Sequence, residues 1–203
     1  MTKDERGYYD RRAPEYDDFY RGTGLYAERL RPGWAQELAT LKALLASLRY
    51  DSFLDIACGT GYLTESLNGR VTGLDQSGSM LAVARSRLPD AWLVRGDALR
   101  IPFRSKQFDC LVAGHFYGHL DQSARELFLA EARRVSKSIV IFDAAQREDV
   151  PPEEHQARVL NDGSGYVVFK RYFTPERLMA EIGPGRVLHF GRWFIAALAL
   201  NNS

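Results

Sequence analysis

Three aspartates and two glycines carry the first chemical signal in this chain. Asp55, Asp75 and Asp97 each stand at or just past the end of a short apolar run, and the first run continues into Ala57-Cys58-Gly59-Thr60-Gly61. An apolar run, a glycine turn and a return to helical periodicity, in that order, give a glycine motif its structural context. Glycines there let the backbone approach a ligand closely and take angles that a side chain forbids. A helix after the turn offers free N–H groups and the positive end of its dipole. The combination predicts a cradle for a nucleotide-like cofactor.

Details of the motif narrow the ligand. A phosphate-binding loop of the Gly-x-x-x-x-Gly-Lys-Ser/Thr kind needs a lysine that is not in place. A dinucleotide site needs a third glycine where this chain has Thr64. Asp75 lies 20 positions after Asp55 and suits the diol of a ribose, whose two hydroxyls one carboxylate can accept together. Ribose occurs in both NAD and S-adenosylmethionine (SAM), so Asp75 alone does not choose. Asp55 at the end of the first strand would face a cationic amine, and Asp97 after the third can accept from the exocyclic amine of adenine. Two negative charges of a pyrophosphate would be repelled by Asp55, whereas a zwitterionic amino-acid ligand fits.

These residues need strands to carry them. Residues 52–56, 71–75, 91–95, 108–113 and 138–143 read as short apolar strands. Helical spacing follows Pro32 up to residue 49, Ser77 up to Leu88, and Asp121 up to Val135, with Ser77 and Asp121 as caps. A further helix is expected after Gly61, burying Tyr62, Leu63 and Leu67 and stopping at Asn68-Gly69. Thr174-Pro175 starts the last helix, and two apolar runs around Gly191-Arg192 predict a terminal hairpin at the sheet edge. Strands alternating with helices mean right-handed βαβ units. The expected fold is α/β: one doubly wound, Rossmann-like domain over 1–203, with a mostly parallel seven-stranded sheet, an antiparallel C-terminal hairpin strand and helices on both faces.

Two segments stand outside this alternation. Residues 1–30 interleave tyrosines with charges, and Tyr16, Phe19 and Tyr20 share one face if helical; the arm is read as packing, a lid over a ligand, or both. Residues 144–164 are polar and too long for a routine connection, which predicts a substrate-covering segment or a solvated loop.

Composition sets outer limits. The 203 residues are 45% hydrophobic and 26% charged with a formal net charge of +1, so no electrostatic case for nucleic acid exists. Cys58 and Cys110 make neither a disulfide framework nor a metal cluster. No apolar run approaches the roughly 18 residues of a membrane span, and the charged start has no apolar leader. A cytoplasmic protein without membrane insertion, a monomer or homodimer, is expected.

With these residues in view, a resemblance emerges. Leu54 to Gly61 resembles the first motif of class I SAM-dependent methyltransferases, and Gly73-Leu74-Asp75-Gln76-Ser77 with Met80-Leu81 the second. Gly96-Asp97-Ala98 with Ile101-Pro102-Phe103 resembles the third, and Phe108-Asp109 through His119-Leu120 the fourth. Tyr9 through Asp17 is similar to the arm of small-molecule members related to the ubiquinone/menaquinone-biosynthesis type. The resemblance implies SAM as cofactor and S-adenosylhomocysteine (SAH) as product. It implies that Asp55, Ala57, Cys58, Gly59 and Gly61 surround the methionine moiety, and that Asp75 binds the ribose with Gln76 and Met80 beside the adenosine. It places Asp97 and Ala98 at adenine, and Gly114 and His115 at the methionine end and the acceptor. Ala57 departs from the pattern, which often has glycine there.

SAM carries its own driving force, so the protein must align the reactants and exclude water. A general base is needed only for a protonated acceptor. His115 and His119 are the candidates, with Tyr9, Tyr16 and Tyr117 as further acceptor or cofactor contacts; His155 is read as an exposed loop histidine or one delivered by residues 144–164, and His189, in an expected edge strand, has no role. Residues 113–117 read Ala-Gly-His-Phe-Tyr rather than the Asn/Asp-Pro-Pro-Tyr run common in methyltransferases of amide and nucleobase nitrogens. A small-molecule acceptor is therefore expected first, with RNA or protein methylation, a non-catalytic SAM/SAH-binding module and an NAD(P)-dependent oxidoreductase as alternatives.

Overall fold

The computed structural model describes residues 3–201, with side chains from Gly7 onward. The arm begins as α1 (Lys3–Arg12). Pro14, which cannot donate to a preceding turn, sits in a 3-10 turn over Ala13–Glu15, and α2 (Asp18–Arg21) follows. Gly33 caps α3 (Trp34–Ser47), so Pro32 lies just ahead of the helix rather than in its first turn. The nucleotide-motif strands are β1 (Ser52–Ile56), β2 (Arg70–Asp75), β3 (Trp92–Arg95), β4 (Phe108–Gly114) and β5 (Ser136–Ala144). Between them stand α4 (Gly78–Arg87), capped by Ser77, and α5 (Gln122–Val135), capped by Asp121. The chain ends through β6 (Glu153–Val159), β7 (Gly165–Arg171), α6 (Pro175–Ile182), β8 (Gly185–Phe190) and β9 (Phe194–Leu200).

Seven strands form one sheet in the order β3-β2-β1-β4-β5-β9-β8. Neighbours among β1 to β5 pair in parallel, and β9 runs antiparallel to both β5 and β8. Alternate residues of each strand feed opposite faces, because successive side chains point to opposite sides of a pleated sheet. Leu54 and Ile56 of β1 join Leu111 and Ala113 of β4 beneath α5 and α6, where Phe128 and Leu178 are fully buried. Phe53, Cys110 and Val112 pack on the other face against Leu38, Leu41 and Leu45 of α3. Both faces are covered, as a parallel sheet requires. The α/β class, the doubly wound order and the edge hairpin are as expected from sequence, and both cysteines are buried and free.

Two expectations are corrected. No α-helix follows the glycine turn; only a 3-10 turn over Thr64–Ser66 forms. The chain must travel back along β1, about 16 Å for five residues of strand, and a helix of that length takes about 11 residues. Eight separate Gly61 from β2, so the return is largely extended, although Leu63 and Leu67 still become buried. A helix-dipole cradle for phosphate is therefore absent from this loop.

The second correction concerns residues 144–164, whose latter half is not a loop. Glu153–Val159 pairs antiparallel with Gly165–Arg171 as a separate two-stranded sheet. This hairpin packs on the arm: Tyr8, Leu160 and Val168 share a cluster, with the Tyr8 and Tyr166 rings 5.0 Å apart. The arm is also tied to the glycine loop and α4. Ser77 Oγ donates to Asp10 at 2.6 Å, Thr60 Oγ1 donates to Asp17 at 2.6 Å, and Arg87 pairs with Asp17 at 2.5 Å.

Candidate active site

In an open parallel sheet, ligands bind beyond the carboxyl ends of the strands, where the strand order reverses. Here β1 and β4 flank that point. A narrow cleft of about 50 Å³ opens there, floored by Ala57, Gly59, Asp75, Gln76, Met80 and Ala98. Gly114, His115 and His119 form its β4 side, and Tyr9 and Tyr16 of the arm line it from above. Gly59 has φ +55°, so the left-handed turn favours glycine there, while a Cβ built on it would make only ordinary contact with the Tyr16 ring at 3.5 Å.

Asp75 joins the walls of this cleft. Its carboxylate accepts from the Gly59 N–H at 2.9 Å and the Ser77 N–H at 2.8 Å, holding the glycine loop to the start of α4. Burial raises its pKa above the usual carboxylate range, although those N–H donors favour the charged form. Asp55 and Cys58 lie in a smaller adjoining cavity that shares Tyr16, Ala57 and Gly114 with the first. Asp55 accepts from Thr64 Oγ1 at 2.6 Å, and burial pushes its pKa up to about 7.

Three residues named from sequence, Gly61, Asp97 and Tyr117, are not brought to either cavity. Gly61 has φ +76°, and an added Cβ would stand 2.7 Å from Leu88 Cδ1, so this glycine serves the packing of the loop on α4. Asp97 is exposed and accepts from the Leu99 N–H at 2.9 Å, turning the chain, while its neighbours Gly96 and Ala98 line the cleft. Tyr117 is buried in the core with its hydroxyl on Glu181 at 2.6 Å, and the His189 ring lies 3.5 Å from Glu37.

Strand ends β1 and β4 stop in matching strain. Ala57 and His115 have φ of 54° and 50°, a left-handed conformation that disfavours a non-glycine residue by about 1–2 kcal/mol. That conformation is the physical reason a glycine is common at the position of Ala57. Backbone strain of this kind persists where the surroundings enforce it, often at sites of ligand contact. Gly114 is the opposite case, constrained by space: a Cβ there would stand 2.0 Å from Phe142 Cζ. Gly114→Ala is expected to destabilise by about 1–3 kcal/mol through overpacking, measurable as a lower urea midpoint.

The histidines are both drawn in. His115 Nε2 is buried with no hydrogen-bond partner, and its Nδ1 lies 4.0 Å from Asp143 Oδ1. Burial lowers its pKa to about 4, so the ring is neutral at physiological pH. His119 Nδ1 lies 2.7 Å from the Phe169 carbonyl of β7, which fixes that nitrogen as the donor. Asp143 is fully buried; burial disfavours its charge, but Lys170 at 2.5 Å outweighs this and holds the carboxyl below its usual range. Asp143 also accepts from the Gly118 N–H at 2.8 Å, securing the loop that carries both histidines.

A larger cavity of about 470 Å³ continues past His115 and His119, between the arm and the β6–β7 hairpin. Arg12, Arg31, Trp34, Arg158 and Lys170 are among its walls. These residues, and Val168 over the first cleft, were not singled out from sequence. The run Tyr166-Val167-Val168-Phe169, β-branched and aromatic, is the signal that could have found the hairpin.

The arrangement defines the fold and cleft of a Rossmann-like methyltransferase, and comparison with known proteins agrees. A methyltransferase domain family matches residues 54–142. The demethylmenaquinone methyltransferase of Thermotoga maritima is 31% identical over 134 residues, covering 64% of this chain and 55% of that protein. The 2-phytyl-1,4-naphtoquinone methyltransferase of Thermosynechococcus vestitus is 38% identical over 87 residues, 37% of this chain and 39% of that protein. The chain thus spans about half the length, or less, of the curated relatives it matches. Over nearly its whole length it superposes on DhpI in complex with SAM and HEP, with TM-score 0.75 and 26% identity, covering 96% of this chain and 94% of that one. The DhpI–SAH complex gives TM-score 0.73 at 27% identity, covering 98% of this chain and 96% of that one. Residues 54–142 thus match a methyltransferase domain, and the fold is that of the class I SAM-dependent methyltransferases. Among the described residues no helix is long and apolar enough to cross a membrane, and no group of side chains could hold a metal ion.

Proposed function

We propose that this chain moves a methyl group from SAM onto O, N or C of a small-molecule acceptor. The observation that carries the reading is His115, whose ring lines both the cleft over the glycine loop and the larger cavity beyond it. A donor in the first and an acceptor in the second would meet at this ring. The cleft and the small cavity beside it fit SAM in their chemistry: Asp75, Met80 and Ala98 of the cleft for a ribose diol and an adenine face, and Asp55 of the adjoining cavity for an ammonium. When bound, SAM supplies an electrophilic methyl on a sulfonium that departs as a neutral thioether.

The chain's own groups do the rest. Tyr9 and Tyr16 exclude water from the cleft, and the strained ends of β1 and β4 hold Ala57 and His115 in place. For a protonated acceptor, His115 Nε2 is a neutral, unpartnered base able to take the proton, and proximity with in-line alignment supplies most of the acceleration. A nucleoside needs more room than 50 Å³, so entry requires the arm to lift, breaking its Ser77–Asp10 and Arg87–Asp17 ties. Relatives named for quinone-type acceptors support a small-molecule acceptor over RNA or protein.

Calorimetry with SAH and NADH tests the donor. SAH is expected to bind and NADH not to; the reverse would overturn the reading. Asp75→Asn is expected to weaken SAH about 10- to 100-fold, the effect of losing a charged acceptor.

A further inference from the structure

The walls of the larger cavity carry an excess of positive charge that the fold leaves uncompensated. Arg12, Arg29, Arg31, Arg147, Arg158 and Lys170 reach it, against Glu154 alone among the acidic side chains. Two of the six cations are satisfied elsewhere, Arg147 by Asp149 at 2.9 Å and Lys170 by Asp143 at 2.5 Å. Among the described residues, none of the remaining four has a carboxylate within 4.0 Å.

Their partners are neutral groups. Arg12 is only 8% exposed and donates to the hydroxyls of Tyr8 at 2.5 Å and Tyr26 at 3.1 Å, phenols that carry no charge at neutral pH. Arg31 donates to the Phe19 carbonyl at 2.7 Å and stacks 4.0 Å over Trp34. Arg29 stacks 4.6 Å over Tyr26. Arg158 donates to the side-chain carbonyl of Gln156, and its Nε is buried with no hydrogen-bond partner. A buried guanidinium without a counter-charge is unfavourable in the free protein, and a ligand that supplies the charge removes that penalty. Planar guanidiniums also match the geometry of carboxylate and phosphoryl oxygens.

We infer that the methyl acceptor carries an anionic group, a carboxylate or a phosphoryl or phosphonyl group, bound between the arm arginines Arg12, Arg29 and Arg31 and Arg158 of the hairpin. The inference rests on the methyl-donor reading above and deepens it. It also separates this chain from an acceptor that is neutral and apolar throughout: such a ring would fit Trp34 and Phe194 of the cavity but would leave Arg12, buried, and Arg31 and Arg158, half-buried, beside it without an anion.

The test uses the full chain saturated with SAH and titrated with phenylphosphonate, benzoate or phenol, followed by calorimetry. These probes share one ring and differ in charge. Phenylphosphonate and benzoate are expected to bind at least tenfold more tightly than phenol, and less tightly as salt rises. Arg29→Gln and Arg158→Gln are each expected to weaken phenylphosphonate about tenfold while SAH affinity stays at the wild-type value. Arg29 is exposed, so its variant reports on charge rather than folding. Phenol binding as tightly as phenylphosphonate, or both variants binding phenylphosphonate like wild type, would overturn the inference. Failure of the wild type to bind SAH would instead overturn the donor reading.

Discussion

Lys170→Met is expected to lower the stability of the fold by about 3–5 kcal/mol, the effect of removing one partner from a buried ion pair. Asp143 has no exposed surface, and Lys170 Nζ at 2.5 Å is the cation beside its carboxylate. Without it the charge keeps only neutral donors, among them the N–H of Gly118 at 2.8 Å and of Ala144 at 2.7 Å. The double variant Asp143→Asn/Lys170→Met, which deletes both charges, should recover much of the loss, and urea denaturation of the three proteins measures this.

The pH dependence has a defined sign. In the wild type the carboxyl of Asp143 is held below its unfolded value, so its stabilisation is present above about pH 4 and is lost as pH falls through the lower folded value. In Lys170→Met, burial dominates and raises the carboxyl instead, so protonation relieves the variant and its deficit shrinks as pH falls through that raised value. A deficit that stays constant from pH 7 to pH 4 would show that Asp143 is not the charge left uncompensated. The same pair anchors the loop of His115 and His119 through Gly118, so methyl transfer should fall with stability in the single variant.

The second large effect is expected at Asp55. Its carboxyl is pushed up to about 7 by burial, so near neutrality only part of the free protein carries the negative charge. A SAH ammonium facing it would favour the ionised form, and binding would then require loss of a proton. Affinity scales with the ionised fraction of the free protein, so SAH should bind about tenfold more weakly at pH 6 than at pH 8. Asp55→Asn should flatten that profile and bind SAH with low affinity throughout. His115, neutral above about pH 4, does not contribute in this range. An affinity independent of pH between 6 and 8 would remove Asp55 from the ammonium end of the site. The same carboxyl affects folding with a linked sign: its folded value exceeds the unfolded one near 3.9, so its contribution to stability is fullest below pH 4 and declines up to about pH 7.

Much of this was open to a reading of the chain by itself. The five parallel strands, the helix caps at Ser77, Asp121 and Thr174, and the edge hairpin follow from local patterns of apolar runs, capping side chains and glycine. So does the glycine loop with Asp75 beside it, because strand, turn and acidic residue lie close in sequence and repeat a known spacing. Most of the residues lining the first cleft were named for this reason, and Tyr9 and Tyr16 from the tyrosine-rich arm.

What the sequence could not decide depends on distances between segments far apart in the chain. The helix after Gly61 looks allowed by its periodicity, but eight residues cannot both coil and cover the return path along β1. Gly61 and Asp97 share their motifs with true cleft residues, yet one packs on Leu88 and the other turns into solvent. The pairing of Asp143 with Lys170 spans 27 positions and links the central sheet to the hairpin. The arginine-walled cavity draws on residues 12 to 158 at once. Local propensity and spacing thus determined the elements and the donor loop, since those depend on near neighbours. Buried charge, cavity shape and the chemistry offered to an acceptor arise only where distant elements meet, because desolvation and electrostatic pairing act through space.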